Sequence, residues 1–231
     1  MGKKKLFRFA EMETFDHVIQ ASFDEVFQKD YKLKGNWNTE FFKNPNPIIL
    51  ELGCGKGEYT VGLAKLNSNI NYVGIDIKGA RMWRGARTAK DDNMNNVAFI
   101  RTRIDLINSF FAPEEISEIW ITFPDPQPKK SHKRLTSSRF LGYYQKFVKN
   151  DGIINLKTDS AELYAYTKEV IALNQLEIIA DTADLYRSSI VDEVLSIRTF
   201  YEQQFLDKGK PITYLRFKLK SDIQLEEPKE K

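Results

Sequence analysis

At 231 residues the chain is long enough for one large domain or two small ones. Its 42% hydrophobic and 13% aromatic content can fill a sizeable core, yet no apolar run approaches the roughly 20 residues that span a bilayer. Lys plus Arg is 35 against Asp plus Glu at 32, so the net charge of +3 points to no partner and only clustered charge carries information. A single cysteine, Cys54, rules out an internal disulfide framework and fits a reducing, cytoplasmic compartment. Two distant histidines, His17 and His132, argue against a His-rich metal site. The basic start is followed by no continuous apolar stretch of the kind a signal peptide carries.

Residues 1–10 interleave Lys3, Lys4, Lys5 and Arg8 with Phe7 and Phe9, a pattern that suits either nucleic-acid contact or a solubilising terminus. Phe15, Val18, Ile19, Phe23, Val26 and Phe27 have helical spacing, which predicts an amphipathic helix over 14–28. Residues 31–47 contain Gly35, Asn36, Pro45 and Pro47 and read as irregular. From Pro47 onward strands and helices alternate. Strands are expected at 48–52, 71–77, 97–102, 116–122, 152–157, 175–181 and 212–220. Helices are expected at 59–66, 78–92, 105–112, 136–149, 160–173 and 199–206. Such alternation implies crossover connections and a mainly parallel sheet with helices on both faces. The charged tail from Ser221, with Asp222, Glu226, Glu227 and Glu230, reads as disordered.

The first strand runs into Glu51-Leu-Gly53-Cys-Gly55-Lys-Gly57. Glycines let the backbone turn sharply and come close to a ligand. Asp76 ends the second strand about 20 residues on, a spacing that suits an acid accepting ribose hydroxyls. In a dinucleotide fingerprint the third glycine would come one residue later, and Glu51 would repel a pyrophosphate. A carboxylate there suits a cationic ligand such as S-adenosylmethionine, which carries a sulfonium and an ammonium. The pattern resembles the first two motifs of class I S-adenosylmethionine-dependent methyltransferases. A nicotinamide- or flavin-binding fold, or a glycine turn without a ligand, is the alternative reading.

The fourth main strand ends in Thr122-Phe-Pro-Asp-Pro-Gln-Pro-Lys-Lys-Ser-His-Lys-Arg134. Pro124, Pro126 and Pro128 stiffen this loop, because proline fixes φ and restricts the residue before it. Asp125 is therefore held just past a strand end, beside Lys129, Lys130, Lys133 and Arg134. An acid on a rigid loop next to a cationic run suits a polyanion that must be placed with care. The plain alternative is a solvated loop in which Asp125 only ties the turn together.

Asp125-Pro-Gln-Pro-Lys-Lys-Ser-His-Lys-Arg-Leu-Thr136, Leu156-Lys-Thr-Asp-Ser160 and Thr199-Phe-Tyr-Glu-Gln203 together resemble the bacterial tRNA (guanine-N7-)-methyltransferase family, over about residues 45–218. The resemblance implies a Rossmann-like fold with a seven-stranded, mostly parallel sheet whose last strand is antiparallel. It implies methyl transfer from S-adenosylmethionine to N7 of the variable-loop guanosine, position 46, of tRNA. It implies no metal, no membrane and no obligate protein partner. By the same resemblance Glu51, Gly53, Gly55, Gly57 and Asp76 belong to the cofactor site, and Asp125 to both the cofactor site and catalysis. Lys129, Asp159, Thr199, Phe200, Tyr201 and Glu202 match substrate-contacting positions. Three departures stand out. Gln127 replaces the family's usual tryptophan. The basic run is two residues shorter. Arg103-Ile104 stands where the family has an acid followed by alanine, which leaves a backbone contact to the adenine. The implied domain plan is a basic arm and accessory helix over 1–44, a methyltransferase domain over 45–220 and the tail.

The residues keep their structural alternatives. Asp159 could cap the helix that begins at Ser160, and Thr199 with Glu202 has capping-box spacing. Arg81, Arg84 and Arg87 recur on one helix face with Lys78 and Lys90. That face could receive tRNA phosphates or simply face solvent.

Overall fold

The computed structural model describes residues 3–229, so Glu230 of the expected tail lies outside the described residues. The chain forms two compact units, Met1–Phe111 and Ala112–Lys231. The expectation of an α/β fold with a mostly parallel sheet holds, with eight strands among the described residues rather than seven. Among the described residues no helix is long and apolar enough to cross a membrane.

The first unit opens with helix α1 (Lys3–Met12). It then carries β1 (Val18–Ile19), β2 (Ile48–Leu52), β3 (Asn71–Asp76) and β4 (Val97–Arg101), all parallel, in the order β1-β4-β3-β2. All five residues of β2 are buried, as befits a parallel strand covered on both faces. Helices α3 (Glu58–Leu66) and α4 (Gly79–Asp91) follow β2 and β3. Their separation is set by glycine. A Cβ on Gly57 would fall 2.7 Å from the Phe99 ring, one on Gly74 2.8 Å and one on Gly85 2.9 Å. These three gaps let a fully buried Phe99 fill the space under the turn.

The helix expected over 14–28 is not there. Ile19 is buried in β1, and only Phe23–Val26 is helical, one turn we label α2. Ser22 interrupts the run, its backbone N–H and hydroxyl both donating to Glu25 Oε2 at 2.8 Å. Phe23 and Phe27 remain exposed and stack on each other at 4.6 Å. Within the expected irregular stretch, Trp37–Phe42 forms a π-helical turn. Fully buried Trp37 anchors it by donating its indole N–H to Phe110 O at 2.8 Å.

The second unit contains β5 (Ile116–Thr122), β6 (Val148–Thr158), β7 (Ile178–Thr182) and β8 (Thr213–Leu219), in the order β5-β6-β8-β7. β5 and β6 are parallel, and β8 runs antiparallel to both β6 and β7. Helices α5 (Ser138–Tyr144), α6 (Ala161–Leu173) and α7 (Phe200–Leu206) complete it. The carboxyl ends of β5 and β6 lead directly to the proline loop and to Asp159, the edge where α/β sheets bind ligands. The tail, expected to be disordered, is pinned through residue 227. Gln145 donates to Ile223 O at 3.0 Å, and Asn174 and Glu226 exchange two hydrogen bonds of 2.9 and 2.7 Å.

Gly85→Ala tests the packing of the first unit. Its new Cβ would meet Gly57 Cα and Lys56 O, both backbone atoms, at 2.8 Å. Overpacking costs about 1–3 kcal/mol, against a helix-propensity gain of about 1 kcal/mol. A thermal melt should show net destabilisation by several degrees.

Candidate active site

In the first unit the residues expected to hold the cofactor gather at the carboxyl ends of β2 and β3. Glu51 is 3% exposed, and its Oε2 accepts from the Thr60 N–H at 2.8 Å and from the Thr60 hydroxyl. Asp76 ends β3. Its Oδ2 accepts from Gly55 N–H at 2.9 Å and its Oδ1 from Lys78 N–H at 2.7 Å. Gly53 and Cys54 N–H both donate to Ile75 O, at 2.8 and 3.0 Å, so the turn is laced to the end of β3. Gly53, Gly55 and Gly57 all have positive φ, of 73°, 55° and 69°. Their surroundings differ. A Cβ on Gly55 would meet nothing nearer than Gly53 O at 3.9 Å, whereas one on Gly57 would strike Phe99. Gly55 thus presents an open face to a ligand, and Gly57 serves packing. Ile77 follows Asp76 with 54% of its surface exposed, an apolar neighbour that the sequence pattern did not single out.

Two carboxylates, an open glycine and exposed apolar surface fit S-adenosylmethionine, which presents an ammonium, a sulfonium, ribose hydroxyls and a flat base. Burial raises the Cys54 thiol, with Glu51 and Asp76 adding to the shift, so this cysteine stays protonated and unreactive. Arg103 and Ile104 begin the 3-10 turn Ile104–Ser109 beyond β4. The Arg103 guanidinium turns to Asp105 at 3.2 Å. On α4, Arg87 pairs with Glu11 at 2.5 Å and Asp91 at 2.8 Å, and Lys90 lies 4.6 Å from the Phe15 ring centroid. Part of that cationic face is therefore engaged within the unit.

In the second unit the proline loop follows β5. Asp125 is exposed, and its Oδ1 accepts from Gln127 N–H at 3.1 Å. Phe123 and Gln127 flank it at φ 48° and 46°, the left-handed region that side chains rarely adopt. Lys129, Lys130 and Lys133 are exposed. Arg134 is not. It is 5% exposed, donates Nε–H to Pro126 O at 3.0 Å, pairs with Glu162 and lies 4.4 Å over the Tyr166 ring. The fourth cation of the run thus holds the loop from inside.

Asp159 does not cap α6. Ser160 does, accepting from Leu163 N–H at 3.2 Å, while Asp159 pairs with Lys210 at 3.1 Å. Thr199 and Glu202 form the capping box of α7, with bonds of 3.1 and 3.3 Å. Phe200 is 46% exposed and Tyr201 half-buried, their rings meeting edge to face at 5.6 Å. Glu202 is 0% exposed, so its carboxylate serves the interior in this structure. It sits 2.8 Å from the ammonium of the equally buried Lys157 and accepts from the Tyr186 hydroxyl at 2.6 Å. Lys157 also donates to Leu195 O at 2.8 Å and Ile197 O at 3.1 Å. Burial lowers the Lys157 pKa, and the Glu202 charge partly restores it. The backbone carbonyl of Lys157 accepts from Phe123 N–H at 2.8 Å. One residue thereby ties the start of the proline loop, the 195–202 segment and the end of β6. Lys157 belongs to the Leu156–Ser160 motif, but the alternation of Leu156-Lys157-Thr158 gives no sign of its burial.

A family model described as "Putative methyltransferase" matches residues 45–215. The chain is 52% identical to a tRNA (guanine-N(7)-)-methyltransferase of Bacteroides thetaiotaomicron, covering 99% of this chain and 90% of that one. It is 53% identical to the enzyme of the same description from Christiangramia forsetii, covering 95% and 99%. Among solved structures, the 16S rRNA methyltransferase KamB superposes with a TM-score of 0.62 at 11% identity, covering 79% of this chain and 92% of that one, a likeness of fold.

Lys157→Met would strand the Glu202 carboxylate in the interior. Breaking a buried pair from one side costs about 3–5 kcal/mol, whereas replacing both partners by apolar residues is often neutral. Chemical denaturation should show Lys157→Met strongly destabilised and Lys157→Met/Glu202→Leu closer to native. A second expectation concerns alkaline pH. Burial raises the Tyr166, Tyr186 and Tyr214 hydroxyls above their ordinary value of 10.0. The folded state therefore keeps protons that the unfolded state releases near 10, and the stability they confer is lost as pH rises beyond it. Lys157 acts in the opposite sense, but only below its unfolded value of 10.5. Urea midpoints should fall steeply between about pH 10.5 and 12.

Proposed function

This chain belongs to the tRNA (guanine-N(7)-)-methyltransferase family, and on that premise we propose that it methylates N7 of the variable-loop guanosine, position 46, in tRNA. The match to curated relatives over nearly the whole chain at about half identity carries the reading. The methyl donor is S-adenosylmethionine, which supplies an electrophilic methyl group on a cationic sulfur. We assign its binding to Glu51, Gly53, Gly55 and Asp76, with backbone at Arg103 and Ile104. Gly57 contributes by shaping the turn.

Guanine N7 bears a lone pair and no proton, and it is an acceptor open in the major groove. No base is required, and alignment of the acceptor is the main task. The imidazole ring gains positive charge as the methyl arrives. Asp125, exposed on a loop held at both ends, would orient the guanine and balance that charge. The three exposed lysines beside it suit the phosphates of a folded RNA. Asp159, Thr199, Phe200 and Tyr201 would form the rest of the substrate surface, with Glu202 setting α7 from beneath. Residues 45–220 would make up the catalytic domain, with 1–44 accessory to it. A tRNA substrate supports a cytoplasmic location.

Methyl transfer to unmodified tRNA, read by nucleoside mass spectrometry, is the direct test. 7-Methylguanosine should form and should vanish when guanosine 46 is changed to adenosine; a different methylated nucleoside would overturn the assignment. Asp125→Asn should lower turnover by about 100-fold, the scale of losing one preorganised electrostatic partner, with an unchanged melting temperature.

A further inference from the structure

The C-terminal segment ends in a contact that the reaction described above does not use. Glu227 reaches two places at once. Its Oε2 accepts from Ser138 N–H, the first residue of α5, at 2.9 Å, and its Oε1 accepts from the Tyr166 hydroxyl. Tyr166 is only 7% exposed, and its ring carries the Arg134 guanidinium. Arg134 in turn donates to Pro126 O, the carbonyl immediately after Asp125. A continuous series of contacts therefore runs from the tail, through an aromatic ring and a buried cation, to the proline loop.

We propose that Glu227 is a positioning residue for methyl transfer, acting through Tyr166 and Arg134 to hold Asp125 in place. The inference rests on the reading of Asp125 given above. Three observations carry it. The loop has a reason to need holding, because Phe123 and Gln127 both sit at positive φ, each a conformation that costs energy unless its surroundings impose it. The hold is specific, because Arg134 makes one hydrogen bond to the loop and one ion pair to Glu162 while its face lies on Tyr166. The tail is seated rather than incidental. Gln145 donates to both Lys220 O and Ile223 O, at 2.7 and 3.0 Å, and Asn174 pairs reciprocally with Glu226. These bonds set the register that brings residue 227 onto Tyr166.

The test compares Glu227→Ala, Glu227→Gln, Tyr166→Phe and Asp125→Asn in the full chain. Turnover and KM are measured on tRNA transcript, and S-adenosylhomocysteine affinity is measured by calorimetry. A misplaced Asp125 should lower turnover in Glu227→Ala by about ten-fold, the effect of roughly 1.4 kcal/mol on a barrier. S-adenosylhomocysteine affinity should change no more than it does in Asp125→Asn, because Glu51 and Asp76 are left intact. Glu227→Gln should recover most of the turnover, since its amide oxygen can accept from Ser138 N–H and its NH2 can donate to the Tyr166 oxygen. Tyr166→Phe keeps the ring beneath Arg134 and loses only the link to the tail, so it should follow Glu227→Ala even if that variant folds poorly. Native turnover in both Glu227→Ala and Tyr166→Phe would overturn the proposal. So would turnover, cofactor affinity and circular dichroism all falling together, which would make the tail a general support of the fold. If Asp125→Asn is inactive while the tail variants are native, only the positioning role fails. If Asp125→Asn is itself native, the reading of Asp125 fails and the positioning role with it.

Discussion

Lys157 and Glu202 face each other at 2.8 Å with no solvent exposure on either side chain. Removing two full charges from water is expensive, and attraction alone rarely compensates. Here the remaining hydrogen-bonding capacity is also used. The ammonium reaches the Leu195 and Ile197 carbonyls, and the carboxylate takes the Tyr186 hydroxyl and closes the capping box of α7. What the pair holds explains its place. The 188–199 stretch has no strand or helix of its own, and without these bonds nothing regular would seat Thr199, Phe200 and Tyr201 beside the end of β6. The second unit thus seats the start of α7 on buried polarity.

The first unit solves a similar problem by shape. Phe99 occupies room left by three glycines, and the backbones at Gly57 and Gly85 approach closely. The glycine turn is therefore seated by hard contact beneath and by carboxylate bonds above, from Asp76 to Gly55 and Lys78. One glycine presents its open side and another is packed, although both carry the same unusual φ. Spacing in the motif does not distinguish them.

What the sequence discloses follows from how local each cause is. The buried parallel strands, the glycine turn, Asp76 and the Thr199–Glu202 box are written in short patterns and were legible. No helix spans 14–28 despite its apolar spacing, because the side chain and backbone of Ser22 bind Glu25 and start a fresh turn. Arg134 looked like one more surface cation in a basic run. Only tertiary neighbours, Tyr166, Glu162 and Pro126, make it internal. The tail has the composition of a disordered segment, yet Asn174 and Gln145 supply it with partners that lie far away in sequence.

Glu51 and Asp76 each have their carboxylates already bonded within the first unit, Glu51 to Thr60 of α3 and Asp76 to Gly55 of the turn and to Lys78. Side chains ordered in advance have little rotational freedom left to surrender when a ligand arrives. In the cofactor site proposed for them, where a cosubstrate enters and leaves on every turnover, this shifts the ordering cost from each binding event to folding, where it is met once for the lifetime of the molecule.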